Sequence, residues 1–144
     1  LAGRYNDIVQ KLLFETGIPV STHETLATLS SKLPLYINSA TPENAVQESC
    51  ERLGVQKFFK KIFGQPTSKI ENLQRILVAE NISPDELLFV GDSPIDVDAA
   101  RVCGCPFIGI TNASNGWSLE ESFPTISSIE KLCERIPLDT YPTI

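Results

Sequence analysis

The sequence predicts an α/β fold, a Rossmann-like three-layer sandwich with a mostly parallel sheet between two layers of helices. Three short apolar runs carry this prediction: Leu35–Ile37, Leu87–Val90 and Pro106–Ile110. An unbroken apolar run is typical of a strand that is buried on both faces. Segments with apolar residues at helical spacing separate these runs. Because strands alternate with helices, we expect the strands to run parallel and the helices to cover both faces.

Composition limits the classes of protein that fit. The chain has 144 residues, 42% of them hydrophobic and 21% charged, which suits one globular domain with a core. A net charge of −6 argues against a surface for duplex nucleic acid, and no apolar run approaches the length of a membrane span. The four cysteines are too sparse for a disulfide framework. With no targeting signal visible, we expect a cytoplasmic protein with neither nucleic-acid nor membrane partners.

Local signals place the helices of the first half of the chain. Apolar residues at helical spacing predict a helix over Tyr5–Phe14. Ser21 followed by Glu24 is typical of a capping box and predicts a helix from Ser21 to about residue 29. Thr41, as a cap before a proline, predicts the next helix as far as residue 53. A short strand is expected at Lys61–Phe63.

In the second half, Ser68–Glu80 has apolar residues on one face and predicts an amphipathic helix. Ser83–Glu86 carries the start signal of a short turn before the strand at Leu87–Val90. A helix over Pro94–Val102 and a last helix over Ser127–Ile136 complete the pattern.

Polar residues follow three of the predicted strands. Asn38 and Ser39 follow the first, the Gly64–Lys69 loop follows the second, and Asp92 with Asp96 follows the third. In parallel α/β sheets, ligands bind at the carboxyl ends of the strands. The sequence therefore predicts a site where these side chains meet.

Three stretches at these strand ends resemble the motifs of one family. They read LYINSATP, GQPTSK and LLFVGDSPIDVDAA in this order. The set resembles the second, third and fourth motifs of the haloacid dehalogenase-like (HAD) hydrolase superfamily, in its phosphatase branch, and is phosphoglycolate-phosphatase-like. The similarity covers about residues 26–110, which is most of the chain.

The resemblance implies a role for five residues. Ser39 and Lys69 are the candidate catalytic residues, and with the backbone N–H of Ala40 they are expected to bind phosphate. Asp92 and Asp96 are the candidate metal residues, and the implied cofactor is Mg²⁺, which prefers carboxylate oxygen. For Asp96 two interpretations stay open, because it either belongs to the metal site or orients the lysine.

The family's first motif, an apolar strand ending in Asp-x-Asp that supplies the nucleophile, is not found in the sequence. Asp7 follows no predicted strand, and Pro137 disrupts the segment before Asp139. We therefore expect a central strand to be missing, and a segment before Leu1 to supply it. If this chain folds alone, a partner chain, a rearranged sheet or a swapped element must take the place of that strand. On this view residues 1–20 are the tail of a helical cap and its return linker, and residues 21–144 are the carboxyl-terminal portion of the core.

The functional prediction is a Mg²⁺-dependent phosphate monoester hydrolase that acts on a small phosphorylated metabolite and is inactive as this chain alone. The alternative is a non-catalytic HAD-like module that binds or regulates. An Asp-x-Asp strand encoded upstream would favour the enzyme. A receiver-like fold is disfavoured, since Lys69 precedes Asp92 here, whereas a receiver carries its lysine after its acidic cluster.

Overall fold

The computed structural model describes residues 2–5 as backbone, together with residues 19–118, 121–141 and 143. In this part of the chain a six-stranded, fully parallel sheet is ordered β3-β2-β1-β4-β5-β6. The strands are β1 (Ala2–Tyr5), β2 (Leu35–Pro42), β3 (Lys61–Gln65), β4 (Leu87–Gly91), β5 (Phe107–Ile110) and β6 (Thr125–Ile126). The predicted α/β, Rossmann-like fold class is confirmed.

Five α-helices lie among these strands in the described residues. They are α1 (Val20–Ser30), α2 (Glu43–Arg52), α3 (Lys69–Glu80), α4 (Pro94–Cys103) and α5 (Leu132–Arg135). Short 3₁₀ turns precede β3, β4 and α5. None of the helices in the described part of the chain is long and apolar enough to cross a bilayer.

Strand β1 occupies the middle of the sheet, between β2 and β4. Its backbone pairs in parallel with both neighbours, with Tyr5 opposite Ile37 on one side and opposite Val90 on the other. The place expected for a missing strand is therefore taken by residues of this chain, and Asp7 follows a strand after all. The predicted helix over Tyr5–Phe14 is wrong at Tyr5, which lies in β1, and its other residues, Asp7 included, lie outside the described residues.

Each face of the sheet has its own apolar core, because neighbouring residues of a strand point to opposite faces. Ile37 and Val90 belong to one cluster with apolar residues of α1 and α2. Tyr36 and Phe89 belong to the other cluster with residues of α3 and α4. This two-sided burial explains the continuous apolar runs in the sequence.

Two predicted helix caps are wrong. Helix α1 begins at Val20 after Pro19, and the Ser21 hydroxyl instead donates to Glu130 at 3.2 Å. Helix α2 begins after Pro42, because β2 continues through Thr41 and pairs Pro42 with Gln65 of β3. In both places tertiary contacts override the local capping signal.

The predicted last helix is also wrong in part. Residues 127–136 form a 3₁₀ turn over Ile129–Lys131 and the short α5. Strand β6, which precedes them, was not predicted. It has only two residues, and its pairing with Gly109 and Ile110 of β5 defines it more than its own sequence does.

Candidate active site

The structure places the predicted site residues at the carboxyl ends of the strands. Ser39 lies in the second half of β2, and Lys69 is the first residue of α3. Asp92 follows β4 directly, and Asp96 lies in the first turn of α4. All four side chains are buried, which for polar groups requires partners.

Lys69 and Asp96 form a buried ion pair. The distance between Lys69 Nζ and Asp96 Oδ1 is 2.7 Å, and the side chains are 7% and 0% exposed. A lone charge at this depth would be strongly unfavourable, and each residue provides the other with a partner of opposite charge. The pair joins α3 to α4 at the edge of the sheet where the site was predicted.

The second oxygen of Asp96 organises the start of α4. Oδ2 accepts hydrogen bonds from the backbone N–H groups of Asp92 and Ser93, both at 3.2 Å, and from the Ser93 hydroxyl at 3.0 Å. Ser93 in turn caps α4 by accepting from the Asp96 N–H. The Asp96 carboxylate is thus engaged on both oxygens, which favours the interpretation that it orients Lys69.

One buried amide holds the backbone of Lys69, and a second buried amide holds the first. Asn38, fully buried in β2, donates from Nδ2 to the Lys69 carbonyl at 3.0 Å. Asn72 donates from Nδ2 to Asn38 Oδ1 at 2.8 Å, and its own Oδ1 accepts from the Thr67 hydroxyl at 2.7 Å. Asn38 was predicted to lie among the polar residues of the site, but its support of the Lys69 backbone was not predicted.

A cleft of about 340 Å³ opens at this edge. Three predicted phosphate-binding residues, Ser39, Ala40 and Lys69, line it together with the apolar side chains of Ile70 and Ile95. Neither predicted metal residue is among its lining residues in the described part of the chain.

Asp92 is held from the loop that follows β5. Asn112 donates from Nδ2 to Asp92 Oδ2 at 3.1 Å, and Asn115 donates from Nδ2 to the Asp92 carbonyl at 3.0 Å. Sequence analysis missed both asparagines. Among the described residues, no group of three or more His, Cys, Asp or Glu side chains converges as a metal site.

A parallel sheet with a buried cation, hydroxyls and carboxylates at its carboxyl edge defines an α/β protein whose polar side chains meet where ligands bind in this class of fold. The family model described as haloacid dehalogenase-like hydrolase matches residues 2–110. The chain belongs to the haloacid dehalogenase-like hydrolase family.

Similar proteins include phosphatases. The phosphoglycolate phosphatase of Escherichia coli K12 is 35% identical over an alignment of 112 residues, and the alignment covers 72% of this chain and 44% of that protein. That of Salmonella paratyphi A is 34% identical over 116 residues, covering 77% of this chain and 45% of that protein. The chain thus spans less than half the length of these curated relatives.

Solved structures support the fold. A haloacid dehalogenase-like family hydrolase from Streptococcus pneumoniae superposes with a TM-score of 0.71 at 22% identity, covering 86% of this chain and 62% of that chain. The NMR structure of a core domain from Streptococcus pneumoniae TIGR4 has a TM-score of 0.66 at 18% identity and covers 93% of both chains.

Proposed function

We propose that this chain contributes the phosphate-binding part of a Mg²⁺-dependent phosphate monoester hydrolase that acts on a small phosphorylated metabolite. The observation that carries the proposal is the buried ion pair of Lys69 with Asp96, because Lys69 lines the cleft that Ser39 and Ala40 also line. The two relatives described above, both named phosphoglycolate phosphatase, favour a small phosphorylated metabolite as substrate.

Three groups are proposed to hold the phosphate. Lys69 contributes a positive charge that offsets the charge of the phosphoryl oxygens. The Ser39 hydroxyl, whose oxygen accepts from the Thr41 N–H at 3.1 Å, can donate its proton to a phosphoryl oxygen. Ala40 also lines the cleft, and its backbone N–H is proposed as a second donor.

Asp92 is proposed as the residue that holds Mg²⁺. Its carboxylate is a hard oxygen donor, and proteins commonly bind Mg²⁺ through one or two carboxylates plus substrate phosphate and water. A single carboxylate therefore fits such a site even without a cluster of three acidic residues. When bound, Mg²⁺ would neutralise phosphate charge. We assign Asp96 to orienting Lys69.

The nucleophile is proposed to come from outside the described residues. No strand of the described structure ends in Asp-x-Asp, since the one such sequence, Asp96-Val97-Asp98, lies in α4. The proposed cap and linker within residues 1–20 exclude β1, because residues 2–5 pair in the middle of the core sheet. On this proposal the 144-residue chain binds phosphate but does not hydrolyse its esters.

The first test measures binding of inorganic phosphate by the 144-residue chain, using calorimetry with Mg²⁺ present. Lys69→Met should weaken binding about tenfold or more, because a charge-assisted hydrogen bond to phosphate is lost. Lys57→Met is the matched control, since Lys57 is exposed and lines no part of this cleft. Equal binding by the wild type and Lys69→Met would refute the phosphate site. Circular dichroism is needed for each variant, because Lys69→Met leaves Asp96 without its cation.

An assay of phosphate-ester hydrolysis distinguishes the proposed hydrolase from a non-catalytic module. The sequence lacks an apolar strand ending in Asp-x-Asp, which favours a non-catalytic binding or regulatory module as the second candidate. Turnover of a generic phosphate ester by a longer native chain would support the enzyme, and its absence there would support the module. Turnover by the 144-residue chain itself would contradict the proposed inactivity, and Asp7→Asn would then show whether Asp7 supplies the nucleophile.

A cytoplasmic location is part of the proposal. All four cysteines are free in the structure, and Cys50 and Cys105 are buried. Free thiols persist in reducing compartments.

A further inference from the structure

We infer that Asn112 is a positioning residue for Asp92, and that the loop after β5 thereby sets the affinity of the site for a divalent cation. This inference rests on the proposed role of Asp92 as the Mg²⁺ ligand. It assigns a function to a residue that lies outside all three motif-like stretches.

The contact is direct and uses a specific atom. Asn112 Nδ2 donates to Asp92 Oδ2 at 3.1 Å, and Asp92 is only 5% exposed. A hydrogen bond to one carboxylate oxygen restricts rotation of the carboxyl group, so the direction of its lone pairs is set before a cation arrives. Partners of this kind commonly control both the orientation and the affinity of a metal ligand.

The same side chain is fixed by its own loop. Asn112 Oδ1 accepts from the backbone N–H groups of Ser114 and Asn115 at 2.9 and 2.8 Å. With its oxygen held this way, the amide can present only its nitrogen to Asp92. The loop therefore acts as a rigid support for the donor.

Asn115 anchors this loop to the sheet. Its Nδ2 donates to the carbonyls of Asp92 and Ile110 at 3.0 and 2.9 Å, which joins the ends of β4 and β5. Its Oδ1 accepts from the Trp117 N–H at 3.0 Å. Trp117 is the only tryptophan of the chain, so its fluorescence reports on this loop.

The test titrates the 144-residue chain with Mg²⁺ alone and follows both Trp117 fluorescence and the heat of binding. The main variant is Asn112→Ser, because a serine hydroxyl can still accept from the loop N–H groups but is too short to reach Asp92. We expect Mg²⁺ affinity to fall about 10- to 100-fold, with unchanged Trp117 emission in the absence of the metal. Asn112→Thr is the second variant if Asn112→Ser alters the emission.

Two further variants distinguish a failure of the Asn112 inference from a failure of the proposed metal role of Asp92. Ser114→Ala, an exposed change in the same loop, should bind Mg²⁺ like the wild type. Asp92→Asn should abolish binding. If Asp92→Asn abolishes binding while Asn112→Ser and Asn112→Thr bind normally, Asn112 has no positioning role and the proposed function stands. If the wild type does not bind, or Asp92→Asn binds normally, the metal role of Asp92 fails and this inference fails with it.

Discussion

Gly91 lies where the end of β4 meets the Asp96 carboxylate. A Cβ atom built on Gly91 would lie 2.4 Å from Asp96 Oδ2 and 2.6 Å from its Cγ. Only glycine permits this approach, since any side chain would push the carboxylate away from Lys69 and from the start of α4. The glycine of this stretch is thus a steric requirement of the ion pair.

Gly91→Ala should therefore lower the free energy of unfolding by about 1–3 kcal/mol, the usual range for overpacking. It should also weaken phosphate binding, because Asp96 can no longer hold Lys69. Gly54→Ala is the control, since its Cβ would meet nothing within 4 Å, although its φ of +71° still carries some strain. Urea denaturation and phosphate calorimetry check both variants. Normal phosphate binding by Gly91→Ala would contradict the steric role.

At the scale of residues, the side chains of the motif-like stretches could be predicted from the sequence, but the residues that hold them in place could not. The proximity of Lys69 to Asp96 was foreseen as one of two alternatives for Asp96. Asn112 could not be found, because its partner Asp92 lies 20 positions earlier in the chain and no local pattern links a loop asparagine to it. Only the pairing of β4 with β5 brings the two together.

At the scale of elements, α3 is attached to the sheet at both ends. Its first residue, Lys69, is held by Asn38 and Asp96. Its last residue, Glu80, accepts hydrogen bonds from the Tyr36 hydroxyl and from Lys60, the latter at 2.7 Å. Burial alone would raise the pKa of Glu80, but these hydrogen bonds and the charge of Lys60 lower it below its ordinary value.

This attachment predicts a pH-dependent contribution to stability. Since the pKa of Glu80 is lower in the folded state, its stabilisation is present above the ordinary carboxyl pKa and is lost as the pH falls through the folded value. Glu80→Gln should cost up to about 1 kcal/mol at neutral pH, and the difference from the wild type should vanish in acid. Urea denaturation across the acidic range checks this, with the exposed Glu51→Gln as control. A cost that does not change with pH would exclude the charge as its cause.

The helices also show where a local capping residue is enough to start a helix. Ser68 and Ser93 cap α3 and α4, and each accepts a backbone hydrogen bond from the residue three positions ahead. Ser21 and Thr41 carry equally good signals, but Ser21 contacts Glu130 and Thr41 belongs to β2. A residue with a capping signal caps its helix only when neither strand pairing nor a hydrogen bond to a residue far along the chain competes for it.

At the scale of the whole molecule, β1 completes the centre of the sheet by pairing with both β2 and β4. Without it, β2 and β4 would each expose a row of unpaired backbone groups in the centre of the molecule. The sequence did not predict this strand, because Ala2–Tyr5 contains a glycine and an arginine and no apolar run. Strand β1 is defined by its pairing with β2 and β4 rather than by its own amino-acid composition.

Arg4→Pro tests this placement. Arg4 pairs with Tyr36 on one side and with Phe89 on the other, so removing its N–H breaks the ladder at the centre of the sheet. We expect the free energy of unfolding to fall by about 1–3 kcal/mol, the cost of an unsatisfied buried group. Arg4→Ala keeps the N–H and is the matched control. Equal thermal stability of the two variants would show that other residues fill the centre in solution.

The double engagement of Asp96 has an evolutionary consequence. One carboxylate starts α4 and also neutralises a buried ammonium group, so selection for folding alone would preserve both partners. A descendant that had abandoned chemistry would retain them for the same reason. Sequence surveys that infer turnover from this lysine and this aspartate would therefore count inactive descendants as enzymes.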